Sequence, residues 1–258
     1  MLRHEARFDA TIFGVLGHAL WYTPLIKCAK EGMREMGNYY AEKLNAHGLF
    51  HVYDTKIPRI RQYLAAEIDF VRNRLCGTEN VLEIAAGYGR IVREIAPCCS
   101  KITGIDISKE SVEFSKDYLG AHKNAQILSM DLHKMSFNEK FDVILCLQNT
   151  LSAVQATAED VASILSLLTP GGTAFFSTYS EHFWAWRIKW FEEQAEKGCL
   201  GKIDYEKTRD GVIVCQDGFR ATTQTKEQLA TIGARSGFYY ELTEVDHSSL
   251  FLIMHRDD

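Results

Sequence analysis

Three acids and a pair of glycines carry the chemistry that can be read from this sequence. Glu83 lies in an apolar run, Val81-Leu82-Glu83-Ile84, that passes directly into Ala85-Ala86-Gly87-Tyr88-Gly89-Arg90. Glycines so placed let backbone approach a ligand and take positive φ angles that side chains discourage. Asp106 follows Ile102-Thr103-Gly104-Ile105, roughly twenty residues beyond the glycine turn, where a carboxylate can accept both hydroxyls of a ribose. Asp131 stands in Ser129-Met130-Asp131-Leu132. A carboxylate at Glu83 repels a pyrophosphate and suits a cation. Val92 occupies the place where a GxGxxG pattern counted from Gly87 needs its third glycine, so the pattern departs from a dinucleotide site.

These residues need strand ends and helix starts to hold them. Val81–Ile84, Ile102–Ile105, Ala125–Ser129, Val143–Leu147 and Thr173–Thr178 read as strands, separated by helical stretches near 88–96, 108–119 and 157–168. Such alternation predicts an α/β fold whose parallel sheet carries helices on both faces. Before residue 78 the apolar spacing is helical, through Met33 to Leu49 and Ile60 to Leu75. Pro58 lies near the start of the second stretch and Gly77 just past its end. Trp184 to Lys197 reads as a helix. Ile203–Lys207, Val212–Cys215 and Phe219–Thr223 read as short antiparallel strands inserted before the last helix, and Tyr239–Val245 and Leu250–His255 as two closing strands.

At these residues the sequence resembles the class I S-adenosylmethionine-dependent methyltransferases of small-molecule type. Their first motif is acid-x-Gly-x-Gly-x-Gly, met here by Glu83, Gly87 and Gly89 with Ala85 in place of the first glycine. Alanine forbids little there if its φ is negative. The helical stretches of 1–77 read as an N-terminal extension or lid and 78–258 as the cofactor-binding domain, with an insertion at about 181–224. The resemblance covers about 78–180 and the two closing strands, and implies a Rossmann-like, seven-stranded, mostly parallel sheet. It assigns S-adenosylmethionine to Glu83, Ala85, Gly87, Gly89, Asp106, Ile107, Met130, Asp131 and Leu147. Asp106 takes the ribose and Asp131 the adenine amine. Gln148-Asn149-Thr150, after the strand Phe141–Leu147, faces the methyl, and Leu168-Thr169-Pro170-Gly171-Gly172 is the turn into the fifth strand.

Methyl transfer from a sulfonium is an in-line displacement that asks the protein mainly to orient and desolvate. Candidates for the acceptor pocket are Tyr40, Tyr53, Asn149, Tyr179 and Arg220, with Trp21, Tyr22, Tyr39, His51, His182, Phe183, Trp184 and Trp186 behind them. Arg59 or Arg61 is a candidate for the cofactor's carboxylate. The aromatic run Phe183, Trp184, Trp186, Trp190, Phe191 has the spacing of a helix packed on a core. Other uses of S-adenosylmethionine, such as cyclisation, and a binding module without turnover are the competing readings.

The 258 residues carry a formal charge of −5, which offers no broad attraction to nucleic acid. Arg59, Arg61, Arg72 and Arg74 read as a solvated helix face. Thr11 to Ile26 is uncharged but too short to span a membrane, and it reads as a packed helix or lid. No nucleic-acid or membrane partner is expected, and monomer and homodimer are both compatible. The seven cysteines are odd in number and include the adjacent Cys98 and Cys99, which fits a reducing cytoplasm. No CxxC pair or zinc-finger spacing occurs, so no metal is expected from the local pattern.

Overall fold

The protein was analysed as a computed structural model that describes residues 46–258. The expectations for Thr11 to Ile26, Trp21, Tyr22, Tyr39, Tyr40 and the start of the Met33–Leu49 helix lie outside the described residues. Helix α1 spans Ala46–Tyr53 and α2 Pro58–Arg72, with Pro58 in its first turn, where a missing N–H costs nothing. Then follow β1 (Asn80–Ile84), α3 (Arg90–Ile95), β2 (Lys101–Asp106), α4 (Lys109–Tyr118), β3 (Ala125–Ser129) and β4 (Phe141–Cys146). Next come α5 (Thr150–Ala153), α6 (Ala158–Ser166), β5 (Leu168–Tyr179) and α7 (Trp184–Glu196). The chain closes with β6 (Ile213–Val214), β7 (Arg220–Ala221), α8 (Lys226–Ser236), β8 (Tyr239–Val245) and β9 (Ser249–His255).

Seven strands form one sheet in the order β3-β2-β1-β4-β5-β9-β8. The pairs among β1 to β5 are parallel, while β9 runs antiparallel to both β5 and β8. The chain direction of winding reverses between β1 and β4, and ligands of such sheets sit at the carboxyl ends of the strands there. Alternate residues feed opposite faces. Val81, Val143 and Leu145 join the core beneath α2 and α3, while Leu82, Ile84, Ile144 and Cys146 join the core beneath α6 and α8. A third core, built from Ile60, Tyr63, Phe183, Trp190, Ile213 and Phe219, packs α1, α2 and α7 with the inserted segment. The aromatic run around α7 is thus largely core, with Phe183, Trp190 and Phe191 buried.

Two expectations change. Ile203–Lys207 is not a strand, because only Ile203 bridges Cys215 and the Lys207 and Thr208 N–H groups turn back onto the Asp204 carbonyl. The Thr169–Gly172 turn lies inside β5, whose register with β4 jumps from Phe141↔Leu168 to Val143↔Thr173. Helix starts follow their caps: Ser108 accepts from the Ser111 N–H, and Thr157 and Asp160 form a capping box.

Gly104 in β2 has no room for a side chain. A Cβ there would stand 2.6 Å from Ala86 Cβ and 3.2 Å from Ile127 and Val92 side-chain carbons. Its bare Cα lets the loop after β1 rest directly on the sheet. Gly104→Ala should lower unfolding free energy by about 1–3 kcal/mol, the usual cost of overpacking, read from the urea midpoint; an unchanged midpoint would show that the loop is free to shift.

Candidate active site

The chain leaves β1 through a turn held by its own backbone. The Ala86 N–H donates to the Ile105 carbonyl (2.9 Å), the Gly89 N–H to the Ala86 carbonyl (2.9 Å), and the Gly87 N–H to Asp106 Oδ2 (2.8 Å). Ala85, Gly87 and Gly89 all have positive φ, at 54°, 55° and 95°. The condition under which alanine would forbid little there, a negative φ, is therefore not met. The turn keeps the left-handed conformation with an alanine in it, at a cost of about 1–2 kcal/mol. Gly89 is also not where the motif suggests. It does not line the cavity, since a Cβ there would stand 2.8 Å from Ile127 Cδ1, so its bareness serves packing.

A cavity of about 420 Å³ opens at these strand ends. Glu83, Ala85, Gly87, Asp106, Ile107, Met130, Asp131 and Leu147 all line it, and α1 contributes Leu49, Val52 and Tyr53. Asp106 Oδ1 accepts from the Ser108 N–H (2.8 Å), so both oxygens are fixed by backbone donors, each with a second lone pair free for a ligand. Burial raises the Asp106 carboxyl, and those two N–H bonds oppose it. Asp131 caps a short turn by accepting from the His133 N–H (3.0 Å). Ile107 is 59% exposed, an apolar side chain at the cavity edge.

A carboxyl and a guanidinium face the inner end. Glu83 is 3% exposed, and its Oε2 has no hydrogen-bond partner. Burial pushes its carboxyl up to about 8, against the pull of Arg90. Arg90 lies 4.6 Å over the Tyr53 ring and has a buried Nη2 without a partner. Behind them Glu67 on α2 is fully buried and accepts from Ser177 Oγ (2.8 Å), whose oxygen in turn accepts the Gln148 N–H (2.8 Å). Burial lifts Glu67 to about 7, opposed by the Ser177 bond. Gln148 and Asn149, at the end of β4, both have positive φ, 56° and 62°, a concentration of strain typical of functional sites.

Residues 81–172 match the methyltransferase domain family model. Over these residues the chain is a methyltransferase domain. A ubiquinone biosynthesis O-methyltransferase of Aromatoleum aromaticum is 30% identical over 122 residues, covering 45% of this chain and 50% of that protein. A malonyl-[acyl-carrier protein] O-methyltransferase of Halalkalibacterium halodurans is 27% identical over 150 residues, covering 52% and 55%. The chain thus spans about half the length of the curated relatives it matches. Magnesium protoporphyrin IX methyltransferase from Synechocystis PCC 6803 with bound SAH shares the fold, with a TM-score of 0.60, 15% identity, and coverage of 87% of this chain and 100% of that one.

The acceptor candidates of the methyltransferase domain divide. Tyr53, Asn149 and Tyr179 line the cavity; Arg220 is exposed and does not. Asn149 is committed to the frame, donating to the Thr222 carbonyl (2.8 Å) and accepting from Thr178 Oγ1 (2.7 Å). Arg59 is held by Asp246 at 2.6 Å and Arg61 by the Thr55 and Lys56 carbonyls, so neither reaches the cavity. Burial raises the Tyr53 phenol and pushes that of Tyr179 up to about 12, so both stay neutral at ordinary pH. Arg187, overlooked in the sequence, does line the cavity. It is 1% exposed, donates to the Gly211 carbonyl (2.7 Å) and Thr223 Oγ1, and stacks 4.6 Å over Tyr179. Its signal was a charge on the apolar stripe of α7, three residues before Trp190.

Two outcomes follow for the methyltransferase domain. Ala85→Gly should stabilise it by about 1 kcal/mol in urea unfolding, because glycine enters the left-handed region without penalty. Glu67 and Glu83 bind protons more tightly folded than unfolded, since their pKa values rise from 4.5 to about 7 and about 8. Their protonation therefore stabilises the fold fully below about pH 4.5, and that stability is lost as pH rises through about 7 to 8. The urea midpoint should fall between about pH 5 and pH 9 from this cause, and Glu67→Gln should flatten the fall; equal slopes in both proteins would remove Glu67 from the account.

Proposed function

We propose that this chain binds S-adenosylmethionine in the cavity and transfers its methyl group to a small-molecule acceptor, leaving S-adenosylhomocysteine. The observation that carries the reading is the pair of buried, partnerless polar atoms at the inner end, Glu83 Oε2 and Arg90 Nη2. An amino acid's ammonium and carboxylate satisfy an acid and a guanidinium together, and leaving either buried group unsatisfied costs about 1–3 kcal/mol or more. Asp106 fits the ribose hydroxyls, and Ile107, Met130 and Asp131 fit the walls of an adenine pocket. The cofactor supplies a methyl group on a sulfonium, a leaving group that needs no further activation.

The remaining work falls to the protein. Gln148, Tyr179, Arg187 and Trp190 line the wall beyond the end of β4, where an acceptor would meet the methyl. Neutral Tyr53 and Tyr179 are poor proton acceptors. An acceptor that arrives ionised, such as a carboxylate, needs no base and is favoured by the Arg187 charge. The names of the curated relatives, both O-methyltransferases, support an oxygen acceptor.

Calorimetric titration with S-adenosylmethionine, S-adenosylhomocysteine and NAD tests the reading. The first two should bind and NAD should not, and Asp106→Ala should weaken binding at least tenfold through the loss of charge-assisted bonds of about 1.5–3 kcal/mol each. Because Glu83 must ionise to receive a cation, affinity for S-adenosylmethionine should rise between about pH 6 and pH 8, and Glu83→Gln should abolish that rise. Binding of NAD in preference to S-adenosylhomocysteine would overturn the assignment.

A further inference from the structure

Outside the cavity, three metal-ligating side chains converge from segments far apart in sequence. His182 stands in the turn between β5 and α7, Glu244 near the end of β8, and His247 in the β8–β9 hairpin turn. His182 Nδ1 lies 2.7 Å from Glu244 Oε1, and His247 Nδ1 lies 3.2 Å from Glu244 Oε2. One ligand atom from each of the three lies within 4.8 Å of the others. Donors on a tetrahedral zinc ion at 2.0–2.1 Å are spaced about 3.3 Å apart, and both imidazoles stand near that distance from the Glu244 carboxylate, one at each oxygen.

We propose that His182, Glu244 and His247 form a site for a single divalent ion of the zinc class. Two imidazoles and one carboxylate suit zinc, cobalt, nickel or copper, whereas magnesium and calcium prefer all-oxygen shells. The carboxylate is prepared for the role. Ser180, itself buried, donates its hydroxyl to Glu244 Oε1 and orients it from behind, as partners of ligands do in metal sites. All three ligands are exposed, which leaves the ion's remaining positions to water. The ion would clasp the β5–α7 turn to the hairpin, two segments already joined by the Ser180 N–H bond to the Ser248 carbonyl (2.9 Å).

Cobalt(II) is the probe, titrated into the full chain and followed by its visible absorption, with zinc added afterwards in competition. The wild type should take up one equivalent in the site, zinc should displace it, and zinc should raise the thermal midpoint. The His182→Ala/His247→Ala double variant should bind cobalt at least tenfold more weakly and lose the zinc-dependent shift, and Glu244→Gln should weaken uptake as well. Circular dichroism of each variant without metal checks that these surface changes leave the fold intact. Equal cobalt uptake by wild type and double variant, or no uptake by the wild type at about tenfold excess over protein, would overturn the site. The test is independent of S-adenosylmethionine, whose binding neither outcome touches.

Discussion

The bond from the Gly87 N–H to the Asp106 carboxylate ties together the ends of two neighbouring parallel strands. One strand ends in a turn of left-handed backbone and the other in an acid, and neither is useful to a ligand unless the other is held. Because Asp106 also accepts from the Ser108 N–H, its plane is set by two donors before any ligand arrives. That preorganisation lowers the ordering cost of binding. The reversal of strand order between β1 and β4 then opens space beside this junction. Helix α1 covers the turn from above, with Leu49 Cδ1 only 3.1 Å from where a Gly87 Cβ would lie.

The site gathers strained backbone and buried carboxyls. Left-handed Ala85, Gln148 and Asn149 and the carboxyls of Glu67 and Glu83 all oppose stability in the folded protein. The three packed cores offset them. Glu67 acts through Ser177 on the Gln148 N–H, so a helix before the sheet supports the shape of the loop that ends β4. Strain and burial so placed keep charged and polar groups aimed at a ligand instead of at solvent.

Much of this was legible in the sequence, for physical reasons that also mark where legibility stops. The β/α alternation locates strand ends, and so Asp106 and Asp131, because apolar periodicity is a local property. Counting glycines places Gly89 in the ligand's path, yet a glycine that clears a ligand and one that clears Ile127 look alike in sequence. Phe219–Thr223 holds a short strand, but alternation across that strand turns Ala221 inward and Arg220 outward. Arg59 is captured by Asp246, 187 residues away, a partner that no local pattern announces. Arg187 was hidden for the opposite reason, since aromatic neighbours made its helix face read as core. The convergence of His182 with Glu244, 62 residues apart in the chain, is likewise a product of the β5–β9 and β8–β9 pairings together.

Asn149 joins the end of β4 to the inserted segment through the Thr222 carbonyl, an atom that every residue type possesses. The joint is therefore indifferent to the side chains the insertion presents. A segment of different composition could be spliced in between α7 and α8 and still be gripped by the same amide, provided its chain passes within reach. The wall opposite the cofactor end is in this sense clamped by its backbone at one point and anchored in the third core by Ile213 and Phe219, so its composition can vary between those fastenings.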